Sequence, residues 1–243
     1  MQPSSHRSPL RSVSRPAREH ALLSDLDVAV IVGRQPPWQL AALQAALAAD
    51  LGPHWTGGAL LVEDGATRAG ARIAREALGV HHPLARRTVL ILPRRTGVAG
   101  AANLAVAEMT GEYVALADGG TRPGPGALSL LVRRLHDDPA ALWAAPAAPG
   151  LAVLRRAAFL ELGGFDPGRR GSDAIADAAR RARAAGRRLL VVADAPAHRD
   201  AGRTRPARRR RRTAPAADGT WSAAALDAWL LRARRAAARV DLS

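Results

Sequence analysis

Short apolar segments alternate with longer segments of helical periodicity through the first half of the chain, and this alternation restricts the fold more than any other feature. The apolar segments are DVAVIVG, ALLVEDG, TVLIL and EYVALAD. Each is nearly continuous in apolar residues, which is typical of strands that are buried on both faces. We therefore predict an α/β fold in which a mostly parallel sheet carries helices on both faces.

The two ends of the chain differ from this central pattern. Residues 1–24 are rich in Ser, Pro and Arg and predict a disordered leader, so the α/β domain is expected at 25–198. Residues 199–219 predict an arginine-rich linker that does not pack. Residues 220–243 predict a C-terminal amphipathic helix with a single apolar face. That face comprises Leu226, Trp229, Leu230, Ala233, Ala237 and Val240.

Composition excludes several classes of protein. The chain has 243 residues, no cysteine and a formal net charge of +15, so disulfides and thiolate zinc sites are excluded. It contains no apolar run long enough to span a membrane, and its N-terminus lacks the apolar segment of a signal peptide. On these grounds we expect a cytoplasmic protein.

The basic linker and the terminal helix each have a second interpretation. Arg208 to Arg212 form an unbroken run, which predicts a solvated linker and leaves nucleic-acid association as the alternative. No base-reading motif or interleaved aromatic residue accompanies the run. The terminal helix is predicted to dock on the domain, and peripheral contact with a membrane or with another protein is the alternative.

Acidic residues stand at the ends of two predicted strands. Glu63 and Asp64 end one strand, and Asp118 ends another just before Gly119 and Gly120. Ligands of parallel sheets bind beyond the carboxyl ends of the strands, so both positions are candidate binding sites. The Asp64 carboxylate suits a nucleotide base or a ribose hydroxyl, and it equally suits the N-cap of the next helix.

A glycine-containing segment, RRTGVAGAANLAV, leads into a predicted helix. Gly97 and Gly100 permit a ligand to approach the backbone closely, and Asn103 lies just inside the helix. A helix N-terminus that follows glycine suits a phosphate group. The segment matches neither a dinucleotide-binding pattern nor a P-loop, so an ordinary strand–helix turn is the alternative.

Taken in order along residues 27–198, five motifs resemble those of the family 2 glycosyltransferases with the GT-A fold. They are the turn Glu63 to Thr67, the segment Gly97 to Asn103, the strand Gly111 to Asp118, the turn Gly163 to Asp166 and the pair Ser172–Asp173. Each motif is short, but their common order and spacing make the resemblance specific. It implies an enzyme that moves a sugar from a UDP- or GDP-linked donor to an acceptor hydroxyl, with inversion.

The resemblance also implies roles for the residues that would bind the donor. Asp64, with Glu63 beside it, would contact the base or the ribose of the nucleotide. Asp118 would meet the diphosphate and its divalent metal ion, Mg²⁺ or Mn²⁺, which offsets charge on the leaving group.

Three further roles follow from the resemblance for residues later in the chain. Asp173 would be the general base that takes the proton of the acceptor hydroxyl. The helix after Asp173 is longer than is usual in the family, so Asp177 is the alternative base. His198 stands where some GT-A enzymes carry a further metal ligand.

One departure from the family pattern concerns the metal. Gly120 falls where the family has the second aspartate of its D-x-D motif, so the motif is degenerate and a hard oxygen ligand is missing. This argues against ordinary metal dependence. Either arginines such as Arg122, Arg94 and Arg95 clamp the diphosphate in place of the metal, or the site has decayed and the chain is a non-catalytic, GT-A-like binding or scaffold protein.

Overall fold

The computed structural model describes residues 22–33, 37–53, 55–65, 86–118, 121–199 and 221–242. Most of the predicted leader, the segment TRAGARIAREALG, the pair Gly119–Gly120 and nearly all of the arginine-rich linker lie outside the described residues. Leu23 is buried in the core, so the folded part of the chain begins before the predicted boundary at residue 25.

Strands dominate the central layer of the fold. Those of the described residues are β1 Leu26–Val32, β2 Gly58–Asp64, β3 Arg86–Leu92, β4 Tyr113–Asp118, β5 Thr121–Pro123, β6 Ala141–Pro146, β7 Leu151–Arg155, β8 Arg188–Val192, β9 Ala197–Arg199 and β10 Ala238–Leu242. Eight of them form one sheet in the order β10-β3-β2-β1-β4-β7-β6-β8, and β5 pairs with β9. Within the large sheet, β7 and β10 run antiparallel to their neighbours and the other pairs are parallel.

Helices cover both faces of this sheet. In the described residues they are α1 Pro37–Leu51, α2 Gly97–Glu108, α3 Ala127–Asp137, α4 Arg156–Glu161, α5 Ser172–Ala184 and α6 Ala223–Ala236. The buried side chains of α1 and α3 join one core cluster, and those of α2, α4, α5 and α6 join the cluster on the other face. The predicted α/β fold, with a mostly parallel sheet between two helical layers, is confirmed.

The prediction of a helix over residues 220–243 is wrong for the last residues of the chain. Helix α6 ends at Ala236, and Ala238–Leu242 form the edge strand β10, with Val240 level with Val89 of β3. The edge of β3 offers unpaired backbone groups, and pairing with them outweighs the modest helical preference of ARVDL. The segment therefore belongs to the sheet.

Helix α6 docks on the domain, as the sequence predicted. Leu226 and Leu230 are buried against the α2 side of the sheet, and the N-cap Ser222 accepts a hydrogen bond from the Ala225 N–H. Arg234 forms an ion pair of 2.6 Å with Glu108 at the end of α2. None of the described helices is long and apolar enough to cross a membrane.

Candidate active site

The carboxyl end of the sheet brings Asp64 and Asp118 to one edge and one face. In the parallel register, Ile31 of β1 is level with Val62 of β2 and with Asp118 of β4. Asp64 follows Val62 by two positions and therefore shares its face, whereas Glu63 points to the opposite face. Neighbouring strands lie about 4.8 Å apart, so the two aspartates are about 10 Å apart in the direction across the strands.

Asp64 is buried and caps α2. Its Oδ1 accepts hydrogen bonds from the Thr96 N–H (2.5 Å) and the Thr96 hydroxyl (3.1 Å), and its Oδ2 accepts one from the Gly97 N–H (2.9 Å). The Thr96 side chain makes no capping bond of its own, so Asp64 satisfies these donors from a neighbouring strand. The helix that directly follows Asp64 in the sequence lies outside the described residues.

The capping hydrogen bonds bear on the predicted contacts of Asp64 and Gly97 with a nucleotide-sugar donor. The Gly97 N–H is engaged by Asp64, so a phosphate at α2 would have to use the amides that follow it. These hydrogen bonds use three of the approximately four lone-pair sites of the Asp64 carboxylate. Arg95, whose side chain is 57% exposed, has its Nε 4.0 Å from Asp64 Oδ2. Contact of Asp64 and Gly97 with a nucleotide stays a prediction.

Asn103 lies at the Gly163 to Asp166 turn. Its side chain is fully buried; Nδ2 donates to the Phe165 carbonyl oxygen (2.7 Å) and Oδ1 accepts from the Phe165 N–H (2.8 Å). Gly164 has a φ of 61°, and a Cβ there would lie 2.5 Å from Asn103 Oδ1, so the turn requires glycine on both grounds. The structure thus gives Asn103 a clamping role, and its predicted phosphate contact stays a prediction.

An Asn103→Ala variant is expected to lose about 2–4 kcal/mol of unfolding free energy, because two half-buried backbone groups of Phe165 lose their hydrogen-bond partner. Urea unfolding measures the loss. Ser222→Ala is the matched control, since it removes one exposed capping bond of 3.3 Å and should cost about 1 kcal/mol. Equal losses in the two variants would contradict the clamp.

Asp118 is half-buried beneath the turn that joins β6 to β7. Its N–H donates to the Gly150 carbonyl oxygen at 2.9 Å. A Cβ at Gly150, where φ is 100°, would lie 2.7 Å from the Asp118 carboxylate. The Thr121 hydroxyl, just beyond Asp118, donates to the Pro149 carbonyl oxygen. The end of β4 and the β6–β7 turn are therefore fixed to each other.

The two-stranded ribbon of β5 and β9, which follows Asp118 in the chain, carries two of the predicted site residues. Arg122 on β5 and His198 on β9 are directly opposite each other in the antiparallel pair, so their side chains lie on the same side of the ribbon. Arg122 is half-buried and His198 is exposed. A guanidinium and an imidazole thus stand side by side close to the carboxyl end of β4.

Helix α5 places its two candidate bases in different environments. Asp173 lies in the first turn and is exposed. Asp177, one turn later, is buried: Arg180 Nη2 donates to its Oδ1, and Arg181 Nε donates to its Oδ2 at 2.9 Å. Arg169 Nε lies 3.5 Å from Asp177 Oδ1. Asp177 is thus fixed by three arginines, whereas Asp173 faces solvent.

The arginines around Asp177 alter its proton affinity. Burial alone would raise the pKa of Asp177, but hydrogen bonds from Arg180 and Arg181 and the charges of Arg181 and Arg169 outweigh it and lower the pKa. A carboxylate with a lowered pKa is a weaker proton acceptor at neutral pH. The role of either aspartate as a general base stays a prediction.

Within the described part of the chain, the side chains near Asp118 do not form a preassembled site for Mg²⁺ or Mn²⁺. Such ions prefer about six oxygen ligands, several of them from carboxylates. Across the described ranges, no group of three His, Cys, Asp or Glu side chains is placed to hold a metal ion, and the neighbouring Gly119 and Gly120 carry no side-chain oxygen. Metal ligation by Asp118 and His198 stays a prediction.

The order and direction of the described strands, with helices on both faces, are those of the GT-A fold. Residues 59–162 match the family described as Glycosyl transferase family 2. The resemblance to this family is thereby confirmed over residues 59–162. No match was found among curated protein sequences.

Three solved structures with similar folds illustrate the likeness. Mannosyltransferase PcManGT from Pyrobaculum calidifontis, in complex with GDP-Man and Mn²⁺, is 22% identical with a TM-score of 0.61, over 70% of this chain and 55% of that one. GalNAc-T7 with UDP, GalNAc and Mn²⁺ is 14% identical with a TM-score of 0.62, over 72% and 42%. TarS 1-349 from S. aureus is 14% identical with a TM-score of 0.56, over 70% and 58%. The chain thus spans between 42% and 58% of the length of these three proteins.

Sequence reasoning missed the residues that hold the site together. Thr96 stands before Gly97 at a helix start, which is a recognisable capping position, but its distant partner Asp64 is not visible in the sequence. Arg181 follows Asp177 by four positions, the spacing of a helical ion pair, and it also donates to the carbonyl oxygens of Leu162 and Gly164 at 2.6 Å each. No sequence signal pointed to these backbone contacts.

Proposed function

We propose that the protein transfers a sugar from a nucleotide-linked donor to an acceptor hydroxyl, with inversion at the anomeric carbon. The observation that carries the proposal is the placement of Asp64 and Asp118 on one face at the carboxyl edge of a sheet within a segment that matches the family 2 glycosyltransferases. Two of the similar structures hold nucleotides or nucleotide sugars, which supports a donor of this class.

In the proposed reaction, the acceptor oxygen attacks the anomeric carbon while the bond from that carbon to the diphosphate breaks. The nucleoside diphosphate leaves with the electron pair, and the proton of the acceptor hydroxyl passes to Asp173. The exposed position of Asp173 at the start of α5 supports this role, since an incoming acceptor can reach it. Gly163 to Asp166, which the Asn103 clamp holds, would border the acceptor.

In this proposal, arginine side chains offset the negative charge that develops on the leaving diphosphate. Arg122 lies four residues beyond Asp118, on the strand that continues from it, and a guanidinium binds diphosphate oxygens in a bidentate manner. Arg94 and Arg95 are exposed between β3 and α2, at the same edge of the sheet. The absence of a second carboxylate at Gly120 supports arginine over a metal ion in this position.

Donor binding is expected to survive removal of divalent ions and to weaken about 10- to 100-fold in Arg122→Ala, the loss expected when a charged hydrogen bond is removed. Titration calorimetry with UDP- and GDP-linked sugars, in Mn²⁺ and in EDTA, measures both effects. Arg134→Ala is the control, because Arg134 pairs at the surface with the exposed Asp194. Loss of binding in EDTA would overturn the arginine assignment, and no binding of any nucleotide sugar would overturn the function.

A second candidate is a non-catalytic protein that keeps the fold and the nucleotide site. It is favoured by Gly120 and by the ligation of Asp64 within the protein, where three hydrogen bonds already engage its carboxylate. This candidate predicts donor binding without release of nucleoside diphosphate, even at protein concentrations equal to the donor. A coupled assay for the released nucleoside diphosphate separates the two candidates.

A further inference from the structure

Exposed apolar side chains are concentrated at the carboxyl edge of the sheet. The described residues expose six large apolar side chains, and four of them lie at this edge: Trp38 (58% exposed), Val98 (52%), Ile175 (54%) and Val191 (75%). The other two are Leu231 on the outer surface of α6 and Val240 on the edge strand β10. We call the first four the carboxyl rim.

Topology accounts for the common position of the rim residues. Helices α1 and α2 begin just after β1 and β3 end, so Trp38 and Val98, the second residue of each helix, stand at the carboxyl edge. Helix α5 ends just before β8 begins at the opposite edge, because β8 runs parallel to β6. Ile175, in the first turn of α5, and Val191, near the end of β8, therefore also lie at the carboxyl edge.

Basic side chains accompany the rim. Arg94 and Arg95 are exposed between β3 and α2, and Arg170 is exposed just before α5. Among the acidic residues at the candidate site, Asp64 and Asp166 are buried, with 3% and 9% exposed. Asp173 is exposed there, and so is Asp194, two residues beyond β8, whose carboxylate pairs with Arg134. The charge that this edge presents to solvent is therefore mainly positive.

Separate apolar side chains together with arginines fit some kinds of macromolecular partner better than others. The rim residues are single apolar side chains on separate elements, whereas a stable protein interface has a contiguous apolar centre. Trp38 is the one aromatic residue of the rim, too few for stacking on a single-stranded nucleic acid. Isolated tryptophan and aliphatic side chains between arginines fit the headgroup region of a bilayer, and anionic lipids attract the arginines.

We propose that the carboxyl rim docks on the surface of an anionic lipid bilayer. Docking faces the carboxyl edge of the sheet toward the lipid. If the proposed transfer also holds, an acceptor at the lipid surface lies on the same side as Asp173. The docking itself rests on exposure and charge and is measured without donor or turnover, so it stands or falls separately from the transferase function.

Trp38 provides a direct probe of the docking. Of the five tryptophans in the chain, Trp38 is the one that is more than half exposed. Vesicles of phosphatidylcholine and phosphatidylserine with brominated acyl chains are expected to quench the fluorescence of the full-length protein. Quenching should disappear in Trp38→Phe and in vesicles of phosphatidylcholine alone. Binding to anionic vesicles without any difference in quenching between the wild type and Trp38→Phe would overturn the proposal.

Vesicle sedimentation then tests the rest of the rim. The double variant Val98→Ser/Ile175→Ser is expected to weaken binding about tenfold or more, because two apolar side chains no longer leave water. Leu231→Ser is the matched control, since Leu231 is 53% exposed but lies on α6. In the same assay, Arg94→Gln/Arg95→Gln should weaken binding more than Arg232→Gln/Arg235→Gln, which lies on α6.

The arginine-rich segment also carries charge, so it needs its own control. A full-length variant with glutamine at each position of 208–212 should lose part of its vesicle affinity and keep the quenching of Trp38. Loss of all binding in this variant, with no effect of the rim substitutions, would overturn the proposal. A rim variant that loses RNA or DNA binding and keeps its vesicle binding would assign the rim to nucleic acid and would equally overturn it.

Discussion

An Asp173→Asn variant is expected to bind the nucleotide-sugar donor normally and to transfer sugar about 10²- to 10⁴-fold more slowly, the usual contribution of a positioned general base. The amide keeps the size of the side chain but does not accept the proton of the attacking hydroxyl. Because Asp173 is exposed in the first turn of α5, the substitution should leave the unfolding free energy within about 0.5 kcal/mol of the wild type. Calorimetry, a transfer assay and urea unfolding measure the three quantities.

The control for this experiment is Asp227→Asn, which removes another exposed carboxylate, from α6. It should change neither transfer nor donor binding. Unchanged transfer in Asp173→Asn would remove Asp173 from the mechanism. Loss of transfer in a stably folded Asp177→Asn, with normal transfer in Asp173→Asn, would move the base to Asp177.

The local sequence pattern was sufficient to predict most strands of the parallel part of the sheet. The segments around β1 to β4 are nearly continuous apolar runs, and such runs have few stable arrangements other than a buried parallel strand. Acidic residues that end such runs necessarily reach the carboxyl edge, so the shared edge of Asp64 and Asp118 was predictable. The short strands β5 and β9, of three residues each, are held by pairing with each other and have no distinct pattern of their own.

Contacts between distant segments account for what the sequence did not reveal. The segment ARVDL places apolar residues at positions compatible with both a helix and a strand, and the free edge of β3 selects the strand. The acceptor for the Thr96 N–H is Asp64, 32 positions earlier. The Asn103 side chain is hydrogen-bonded to the backbone of Phe165, 62 positions later. Composition and spacing contain no information on such partners, because folding alone brings them together.

Replacing Asp177 is expected to destabilise the fold substantially, because its carboxylate joins α5 to the turn from Gly163 to Asp166. Arg181 contacts both Asp177 and the Gly164 carbonyl oxygen, and Arg169 is shared between Asp166 (3.2 Å) and Asp177 (3.5 Å). Asp177→Asn leaves the half-buried Arg181 and the more exposed Arg169 without the buried carboxylate that they share. We expect a loss of about 3 kcal/mol in unfolding free energy at neutral pH.

The pH dependence of this loss provides the sharper test. The folded pKa of Asp177 lies below its ordinary value of 3.8, so the unfolded chain binds the proton more tightly than the fold does. The stabilisation is therefore complete above that ordinary value and is lost as the pH falls through the lower, folded value. Urea unfolding of the wild type and Asp177→Asn, from about pH 7 to about pH 3, should show a difference that shrinks as the pH falls.

The difference between the two proteins is the quantity to follow, because Asp50 titrates with the opposite sign. Burial, set against hydrogen bonds from the backbone at Leu128 and Gly126, raises the pKa of Asp50, so its contribution to stability grows as the pH falls through that raised value. Asp50 is unchanged in Asp177→Asn, and its effect cancels. Asp194→Asn, which loses an exposed ion pair of 3.5 Å with Arg134, should differ from the wild type by less than about 1 kcal/mol throughout. A difference for Asp177→Asn that stays constant down to the lowest pH would show that the charge of Asp177 does not stabilise the fold.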